Sequence, residues 1–475
     1  APVGSSTALM ITNTPVLLEV LQDQNGTTVA INVNTVDGLL EISDPAMNLE
    51  LAGEIKTWLN PENPNSMEKP VQNVTVTLSG GASNTAVTGV PGTYSFQAPM
   101  GVNTVTACSK STPGNAGVTS GDLLRIVNHI FGDLMPAPYQ WVAADVNNSK
   151  TITLADYLII QRLVLGTDQN LLNSPDWKFI PKSYVFPSNS TQMFGPLTNP
   201  FPQTINHNPV DMDFLDDDFV AVRMGDVNGN TPVNMTDDAN DRYGDNETLY
   251  FQLEDRAFQQ GEIIRVPFRA ADFRARQAYQ FTLAFDPAVL ELDGIIPGAL
   301  PELGDENFGM THLQAGYLTT SWVSRLPVTV PDDEVLFTLQ FRTLRGSEAL
   351  SNILQAGSQV TRAESYTREG ATMKVDLRYK LPENGQEIAT FALYQNLPNP
   401  FRSSTTISFR LPESGRATLR VFTASGQLVK LITGSFADGY NEITLRKDDL
   451  GAPGVYWYEL ETAKQSDRKK MILID

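Results

Sequence analysis

The stretch AYQFTLAFDPAVLELDGI, residues 278–295, decides the fold class of this chain. In its first part, large apolar residues alternate with smaller or polar ones, which is the period of two expected of a β-strand. Asp286 and Pro287 then end the alternation, so the pattern predicts a strand that stops at an Asp-Pro turn. Comparable runs recur along most of the chain. We therefore predict a mostly β, multidomain protein.

The alternating runs fall into separate groups, and 475 residues are too many for one ordinary core. This predicts β-sandwiches in series, with one small paired-helix module between them. The chain opens with APVGSS and no Met, which suggests a processed product or a fragment. The predicted segments are a short β-unit or the tail of an upstream domain at 1–48, a β-sandwich at 49–108, a loop–helix repeat at 109–168, an irregular acidic connector at 169–248, a β-sandwich at 249–378, a linker at 379–390 and a terminal β-sandwich at 391–475.

Charge and composition exclude several classes of function. Lys and Arg number 34 against 54 Asp and Glu, a net charge of −20, and such an acidic protein is unsuited to nucleic acid, whose phosphates would repel it. No apolar run approaches the ~20 residues of a transmembrane helix. The lone Cys108 cannot form an internal disulfide and is expected to be a small buried residue.

An internal repeat occupies the third segment. GVTSGDLLRIVNHIFG at 117–132 aligns without gaps on TITLADYLIIQRLVLG at 151–166, so that Asp122 falls on Asp156. Both copies carry apolar residues three and four apart and end in Gly, the pattern of a helix with its C-terminal stop. Two such helices are expected to pack their apolar faces together.

The residues that lead into the second copy have the spacing of a calcium loop. In DVNNSKTITLAD, the twelve residues from 145 to 156, oxygen-bearing residues stand at positions 1, 3, 5, 7 and 12. Calcium prefers six to eight hard oxygen ligands, and this spacing wraps them around one point. The alternative is a metal-free turn that caps the helix. The predicted ligands are Asp145, Asn147, Ser149, Thr151 and Asp156.

This loop and the paired helices resemble the dockerin repeat, in which Asp holds position 12. Two departures matter. Lys150 stands at position 6, where Gly eases the turn, and the first copy offers only Ser111, Pro113 and Asn115 at positions 1, 3 and 5. The resemblance therefore implies one bound calcium rather than two.

A second near-match to the calcium loop is DVNGNTPVNMTD, residues 226–237. Its candidate ligands are Asp226, Asn228, Asn230 and Asp237. The residues that follow are polar and lack an apolar period, so no helix is predicted to support this loop. A metal-free polar turn is the alternative.

Two β-segments also resemble known families. GTYSFQAPMG, at 92–101, is similar to the carboxypeptidase-regulatory-like or prealbumin-like modules of bacterial surface proteins. Residues 249–376 resemble the cohesin and carbohydrate-binding-module type of sandwich, on the stretch quoted first. Trp322 is then either a sugar platform or a core aromatic. A cohesin-like and a dockerin-like module on one chain imply docking, either within a chain or between neighbours by self-association.

The last 85 residues resemble the type A C-terminal sorting domain of the type IX secretion system. The likeness is carried by YQNLPNPF (394–401), TTISFRLPESG (405–415), VFTASGQLV (421–429), LGAPGVYWYEL (450–460) and KKMILI (469–474). It implies a Gram-negative bacterium, the outer-membrane secretion and attachment machinery as partner, a cell-surface or secreted product, and cleavage within 379–392. The candidate signal residues are Pro398, Asn399, Pro400, Phe401, Gly426, Gly454, Tyr456, Lys469 and Lys470; the two glycines are expected in hairpin turns that need positive φ.

Enzymatic function has little support in the sequence. The three histidines stand in no nucleophile or zinc arrangement, and there is no HExxH, GxSxG or P-loop. We predict a non-catalytic protein of the bacterial surface that acts in adhesion or surface-structure assembly. The alternative is the accessory, carbohydrate-binding part of an extracellular hydrolase, with a surface glycan as its ligand.

Overall fold

The computed structural model describes residues 48–62, 66–112, 114–171, 173–187, 197, 200–231, 248–347, 349–367, 372–381, 391–394, 396 and 399–474, and the backbone of short strands within 7–43 and at 387–388. The chain divides into two compact units. The first is built mainly from residues 1–111 and 175–223, and the second from 112–174, 224–232 and 236–475. Within the described ranges, no helix is long and apolar enough to cross a membrane.

The N-terminal residues contribute five short strands. β2 and β3 pair antiparallel on either side of an Asn-Gly dipeptide, and β4 and β5 do so around Asp-Gly, while β1 pairs with β5. The strands are β1 (Thr7–Ala8), β2 (Leu21–Gln24), β3 (Thr27–Ala30), β4 (Asn32–Val36) and β5 (Leu39–Ser43).

Two four-stranded sheets follow in the first unit, in the orders β12-β10-β7-β8 and β11-β13-β6-β9. Along β6 and β9 the buried and exposed positions alternate, as a strand with one face on a core requires. The bounds are β6 (Asn48–Thr57), β7 (Thr75–Gly80), β8 (Asn84–Val87), β9 (Thr93–Pro99), β10 (Thr104–Ser109), β11 (Trp177–Pro181), β12 (Thr204–His207) and β13 (Phe219–Arg223).

Residues 169–248 differ from the predicted irregular connector, because β11, β12 and β13 lie within them and complete both sheets. β13 runs parallel to β6, and β12 pairs antiparallel with β10. Every residue of β11 and β13 is buried, so neither strand shows the alternation on which the prediction relied. Residues 49–108 therefore share their core with strands that lie over 65 residues further along the chain.

Three α-helices begin the second unit: α1 (Ser120–Ile130), α2 (Pro138–Ala144) and α3 (Leu154–Val164). α1 and α3 are the two helices of the repeat, and each starts with a capping box, Thr119 with Asp122 and Thr153 with Asp156. The sequence did not predict α2, which begins at a proline as first turns allow. Residues 114–171 are called the helix layer below.

Eleven strands form the sheet that follows, in the order β17-β20-β15-β14-β23-β22-β16-β19-β18, with β21 on β16 and β24 on β23. The bounds are β14 (Thr248–Glu254), β15 (Ile263–Ala271), β16 (Phe273–Phe285), β17 (Leu290–Pro297), β18 (Phe308–Gly309), β19 (Tyr317–Val330), β20 (Phe337–Thr343), β21 (Leu354–Gly357), β22 (Glu364–Thr367), β23 (Thr372–Lys380) and β24 (Glu387–Ile388).

The two ends of this sheet fold over each other around an aromatic core. Phe337 of β20 stacks on Phe268 of β15 at 4.6 Å and lies 6.5 Å from Tyr279 of β16, which belongs to the other end of the sheet. Phe251 of β14 contacts rings of both ends. The result is a β-sandwich, called the sandwich below.

The stretch that predicted the fold class forms β16 and a turn at Asp286, as expected, and then continues into β17, which was not predicted. β16 nevertheless differs from a half-exposed strand, because residues 278–283 are all buried. One of its faces contacts the aromatic core. The other face, which carries Gln280 and Thr282, is also covered.

The terminal segment is a second β-sandwich with its own core. Its two sheets have the orders β25-β26-β29 and β28-β27-β30-β31. The bounds are β25 (Ala392–Leu393), β26 (Ser404–Leu411), β27 (Gly415–Thr423), β28 (Leu428–Phe436), β29 (Gly439–Arg446), β30 (Gly454–Glu461) and β31 (Ser466–Leu473). The mostly β fold class with several sheets is thus confirmed.

The segment predicted as a linker, 379–390, differs from that expectation at its ends. β23 continues to Lys380, and β24 pairs with it, Tyr379 opposite Ile388 and Lys380 opposite Glu387. The backbone on both sides of residues 382–386 therefore belongs to the sandwich.

Candidate functional site: two loops and a helix layer on a sheet face

The loop that begins at Asp145 folds around its own side-chain oxygens. Asp145 Oδ1 accepts the Ser149 N–H at 2.8 Å, and Oδ2 accepts the Lys150 N–H at 3.0 Å. Asn147 Oδ1 also accepts the Ser149 N–H, at 2.9 Å. Asn148 and Lys150 have φ of 57° and 67°, a left-handed conformation that is uncommon for lysine. Lys150 therefore makes the turn that the calcium-loop pattern assigns to Gly.

Asp156 closes the loop from the first turn of α3. Its Oδ1 accepts the Asn147 N–H at 3.3 Å, and its Oδ2 accepts the N–H and the hydroxyl of Thr153 at 3.0 and 3.2 Å. Ser149 Oγ lies 2.9 Å from the Thr151 carbonyl oxygen, to which it donates. Hydrogen bonds thus link all five predicted positions into one compact loop.

The electrostatics of this loop would favour a cation. Burial raises the pKa of Asp156, the N–H donors of Thr153 and Asn147 lower it, and the nearby charge of Asp145 raises it again. Two carboxylates held together with partial loss of water repel each other unless a positive charge lies between them. Carboxylate, amide, hydroxyl and carbonyl oxygens are also the donors that calcium takes, so the residues present fit this ion.

The loop that begins at Asp226 has the same pattern of side-chain-to-backbone hydrogen bonds, although Thr231 lacks the positive φ of its counterpart Lys150. Asp226 Oδ1 and Asn228 Oδ1 both accept the Asn230 N–H, at 3.1 Å each, and Asp226 Oδ2 accepts the Thr231 N–H at 3.0 Å. Gly229, with φ of 69°, stands where Asn148 stands in the other loop. The contacts among Asp226, Asn228, Asn230 and Thr231 therefore repeat those among the corresponding four residues of the loop at 145.

Asp122, from α1, closes this second loop. Its Oδ1 accepts the N–H groups of Val227 and Asn228 at 2.7 and 2.9 Å, and its Oδ2 accepts the Thr119 N–H at 2.8 Å. Asp156 makes the equivalent bonds to Asn147 and Thr153 in the first loop, whereas the bond to Val227 has no counterpart there. The sequence analysis assigned that position to Asp237, which lies outside the described residues, so its assignment stays a prediction.

The sequence analysis was wrong that no helix supports the loop at 226, since α1 does so from more than 100 residues earlier in the chain. The sequence also predicts that the first repeat has lost its ligands at positions 1, 3 and 5 and keeps only Asp122. Ser111 and Asn115 make other contacts: Ser111 Oγ bonds Asp176, and Asn115 Nδ2 bonds two carbonyl groups. Pro113 lies outside the described residues. One sequence signal points to the similarity of the two loops: the tripeptide Asp-Val-Asn begins at both residue 145 and residue 226.

Asp122 combines full burial with a neighbouring carboxylate. It is fully buried, and burial together with the charge of Asp226 raises its pKa well above the usual range, against three hydrogen bonds that lower it. Each loop contributes only two carboxylates, and the described part of the chain holds no group of three or more His, Cys, Asp or Glu suited to a metal. Any ion at either loop would therefore rely on amide, hydroxyl and carbonyl oxygens as well.

The helix layer rests on the sheet face formed by β16, β19 and β22, called the docking face below. Ser120, the first residue of α1, donates its N–H to Gln280 Oε1 at 2.6 Å and shares a 2.7 Å hydrogen bond with Ser321 Oγ. All three side chains are buried. The polar side of β16 is covered because α1 lies on it.

An apolar contact lies beside these hydrogen bonds. Leu124, one turn further along α1, packs with Ala278 and Tyr366, and Val323 lines the same cluster. A Cβ built on Gly121 would lie 2.9 Å from the Tyr366 ring, so α1 approaches the sheet more closely than another residue would allow.

The C-terminal end of α3 is capped by the sandwich. Thr361 Oγ1 donates to the Val164 carbonyl at 2.6 Å, and Thr319 Oγ1 donates to the Leu165 carbonyl at 2.6 Å. Helix ends leave their last carbonyl groups without intrahelical partners, and buried ones need donors from elsewhere. The helix layer therefore covers the docking face within one chain.

Trp322 is a core residue and not a sugar platform. Its side chain is fully buried, stacks near Tyr279 at 5.7 Å and donates from Nε1 to the Pro301 carbonyl at 2.8 Å. A ring in this position offers no face to a glycan.

The histidines are also placed by structural contacts. His129 Nδ1 accepts the Met135 N–H, His207 Nε2 lies 2.8 Å from Asp217, and His312 Nε2 lies 3.2 Å from the Gly166 carbonyl. They stand far apart in sequence and contact different elements.

The Asn-Pro-Phe segment of the sorting-signal residues is fixed to the last strand. Asn399 Oδ1 accepts the Ile472 N–H at 2.9 Å, and Phe401 exchanges two backbone hydrogen bonds with the end of the chain. The Phe401 side chain is buried in the core of this domain, and the bond between Asn399 and Pro400 is cis. Pro398 lies outside the described residues.

The other signal residues differ in their surroundings. Gly426 occupies a turn with φ of 86°, as predicted, whereas Gly454 begins β30 with φ of 159°, close to extended backbone, and Gly451 makes the preceding turn. Tyr456 is buried and donates to the Ala452 carbonyl at 2.5 Å. Lys470 is exposed on β31, and the neighbouring Lys469 Nζ lies 3.5 Å from Asp467.

Comparison with known families gives one match, the secretion system C-terminal sorting domain, over residues 396–474. It confirms the sorting domain predicted from the sequence, and the chain is a secreted protein that attaches to the cell surface. No curated protein matches the chain.

Solved structures similar to the chain include cohesins. CaCohA2 from Clostridium acetobutylicum is 12% identical, with a TM-score of 0.21, over 28% of this chain and 92% of that one. A non-cellulosomal cohesin from Archaeoglobus fulgidus is 16% identical, with a TM-score of 0.19, over 28% and 91%. The type II cohesin dyad of ScaA from Acetivibrio cellulolyticus is 10% identical, with a TM-score of 0.22, over 46% and 89%. All three TM-scores are below 0.5. The β-sandwich architecture is therefore defined by the strand pairing of this chain alone.

Proposed function

We propose that this chain is a non-catalytic surface protein that is exported by type IX secretion and acts in adhesion or in the assembly of a surface structure. The observation that carries the proposal is the helix layer seated on the docking face. Buried hydrogen bonds at Ser120, Thr319 and Thr361 join the two modules, and such bonds hold a fixed relative orientation. A stiff connector of this kind suits a protein that must transmit force or hold a defined spacing.

We further propose that calcium fills both loops of the helix layer. The sequence predicts one ion. The bonds of Asp122 to Val227 and Asn228 support a second one, because they bring a second carboxylate to the loop at 226. The positive charge would offset the repulsion within each pair of buried carboxylates. The proposed ligands are Asp145, Asn147, Ser149, the Thr151 carbonyl and Asp156 at one site, and Asp226, Asn228, Asn230 and Asp122 at the other.

Deletion of the gene tests the proposed role. We expect the deletion strain to lose cell–surface or cell–cell adhesion in a shear assay, and the wild-type gene to restore it. A gene that carries Asp145→Asn and Asp226→Asn should restore it only in part, because both loops lose a carboxylate. The matched control is Asp293→Asn, which removes an exposed carboxylate of the sandwich that lies outside the loops.

Two results would count against the role. One is a deletion strain that adheres and forms its surface layer as the parent does. The other is an enzymatic activity that disappears from the cell surface with the gene and returns with it.

A further inference from the structure

A buried ion pair joins the sandwich to the sorting domain, residues 391–474. Arg410 lies on β26 of the sorting domain and Asp376 on β23 of the sandwich, with 9% and 4% of their surfaces exposed. Arg410 Nη1 is 2.5 Å from Asp376 Oδ1, and Nη2 donates to the Leu377 carbonyl. The guanidinium of the sorting domain thus binds both a side chain and the backbone of the sandwich.

The surroundings of Asp376 exclude water from this pair. Its carboxylate also accepts the N–H groups of Leu377, at 2.7 Å, and of Tyr440 on β29. A Cβ built on Gly439 would lie 2.8 Å from Asp376 Oδ2, so the start of β29 closes directly over the carboxylate. The sandwich and the sorting domain therefore both contribute to the enclosure of Asp376.

Aromatic and polar contacts extend the same interface. Tyr394 and Tyr440 stack at 6.2 Å, and Gln359 of the sandwich donates from Nε2 to the Tyr440 hydroxyl at 3.2 Å. Tyr379 of the sandwich is buried, and the nearby positive charge of Arg410 lowers its pKa against the larger, opposing effect of burial.

We propose that this interface is a latch that keeps the sorting domain bound to the sandwich after the chain between them is cut. Arg410 and Asp376 are both buried, and leaving one of them buried without the other is strongly unfavourable. The two domains can therefore part only when the whole contact opens at once and water reaches both charged groups. The pairing of β24 with β23 would survive a cut within residues 382–386 as well. Removal of the sorting domain then takes two events, scission of the backbone and opening of the latch.

This inference is independent of the adhesive role, since it concerns only how the sorting domain separates from the rest of the chain. It also assigns a task to the machinery that receives this protein. A protease alone would yield a nicked complex, and a second interaction must displace Arg410 from Asp376.

The test uses the full chain with a site-specific protease sequence in place of residues 382–386. After complete cleavage, the two fragments should co-elute from a size-exclusion column in the wild-type background. With Arg410→Met, we expect the dissociation rate of the cut complex to rise by roughly a hundredfold, because a buried carboxylate loses its partner. Arg410→Lys should fall between the two, since lysine keeps the charge but not the two-pronged geometry.

Thermal unfolding of each uncut variant separates loss of the latch from failure to fold. Asp449→Asn is the matched control, because it breaks a half-buried ion pair, with Lys430, whose two members both belong to the sorting domain. Separation of the wild-type fragments immediately after cleavage would overturn the latch. Equal dissociation rates for wild type and a folded Arg410→Met chain would overturn its assignment to the ion pair.

Discussion

Gly121 is the residue that permits the closest approach between α1 and the docking face. A Cβ at this position would meet the Tyr366 ring at 2.9 Å, and Tyr366 cannot easily move, because its hydroxyl is bonded to Glu364 at 2.5 Å inside the protein. The corresponding residue of the second repeat is Ala155, which is exposed on α3. The same position of the repeat is therefore packed against Tyr366 in α1 and exposed in α3.

Replacing Gly121 by leucine should destabilise the second unit by about 2–3 kcal/mol or more, since overpacking a tight contact costs that much even after a small gain in helix propensity. Ala155→Leu is the matched control and should change stability by no more than about 0.5 kcal/mol. Urea unfolding of both variants measures the difference. Equal stabilities would mean that α1 does not approach the sheet as closely as described.

At this scale the sequence predicted which residues form strands but not which faces of them are covered. Gln280 and Ser321 alternate with apolar neighbours, and a lone strand with that pattern would place them in water. They are buried because Ser120 of α1 bonds to both. Ser120 precedes Gln280 by 160 positions and Ser321 by 201 positions. A local sequence pattern does not predict contacts over such separations.

The two loops are best compared as elements. One is continuous in sequence, and spacing alone predicted its five oxygen-bearing residues. The other is made from a turn at 226–231 and the first turn of α1, so no window along the chain contains it. Strands β11 and β13 were missed for a related reason, because they are buried on both faces and lack alternation.

Calcium removal tests both loops together. An ion that binds only the folded protein stabilises it by about 2.7 kcal/mol at a hundred times its Kd, so a chelator should lower the melting temperature of the second unit by several degrees. Titration calorimetry should give two ions per chain. Asp122→Asn and Asp156→Asn should each reduce that number to one.

The control for this experiment is magnesium, which prefers octahedral sites with retained water and should not restore the melting temperature fully. A chain whose unfolding is unaffected by chelation, and which releases no heat on titration, would rule out calcium at both loops. A wild-type chain that binds a single ion, with the same number in the Asp122→Asn variant, would restrict calcium to the loop at 145.

For the whole molecule, the sorting domain determines the destination. Phe401 fills its core and ties the Asn-Pro-Phe segment to β31, so Phe401→Ala should cost about 3–5 kcal/mol and unfold much of the domain. We expect this variant to accumulate inside the outer membrane, as a chain truncated at residue 390 should. Protease shaving of intact cells, followed by immunoblotting, measures the surface fraction.

Val455→Ala is the control for export, because Val455 lies in the same domain with 40% of its surface exposed. It should reach the surface as the wild type does. Normal surface display of the truncated chain would show that export does not need this domain.

The divided loop has one further consequence for the molecule as a whole. An ion held by both Asp122 and the turn at 226 would tie together two points about 105 residues apart. A covalent cross-link that closes a loop of that size removes enough freedom from the unfolded chain to stabilise a protein by about 4.7 kcal/mol. With one cysteine, this chain has no internal disulfide to do so. The ion would act as a reversible staple, absent where calcium is scarce and set once the protein has reached a medium that supplies it.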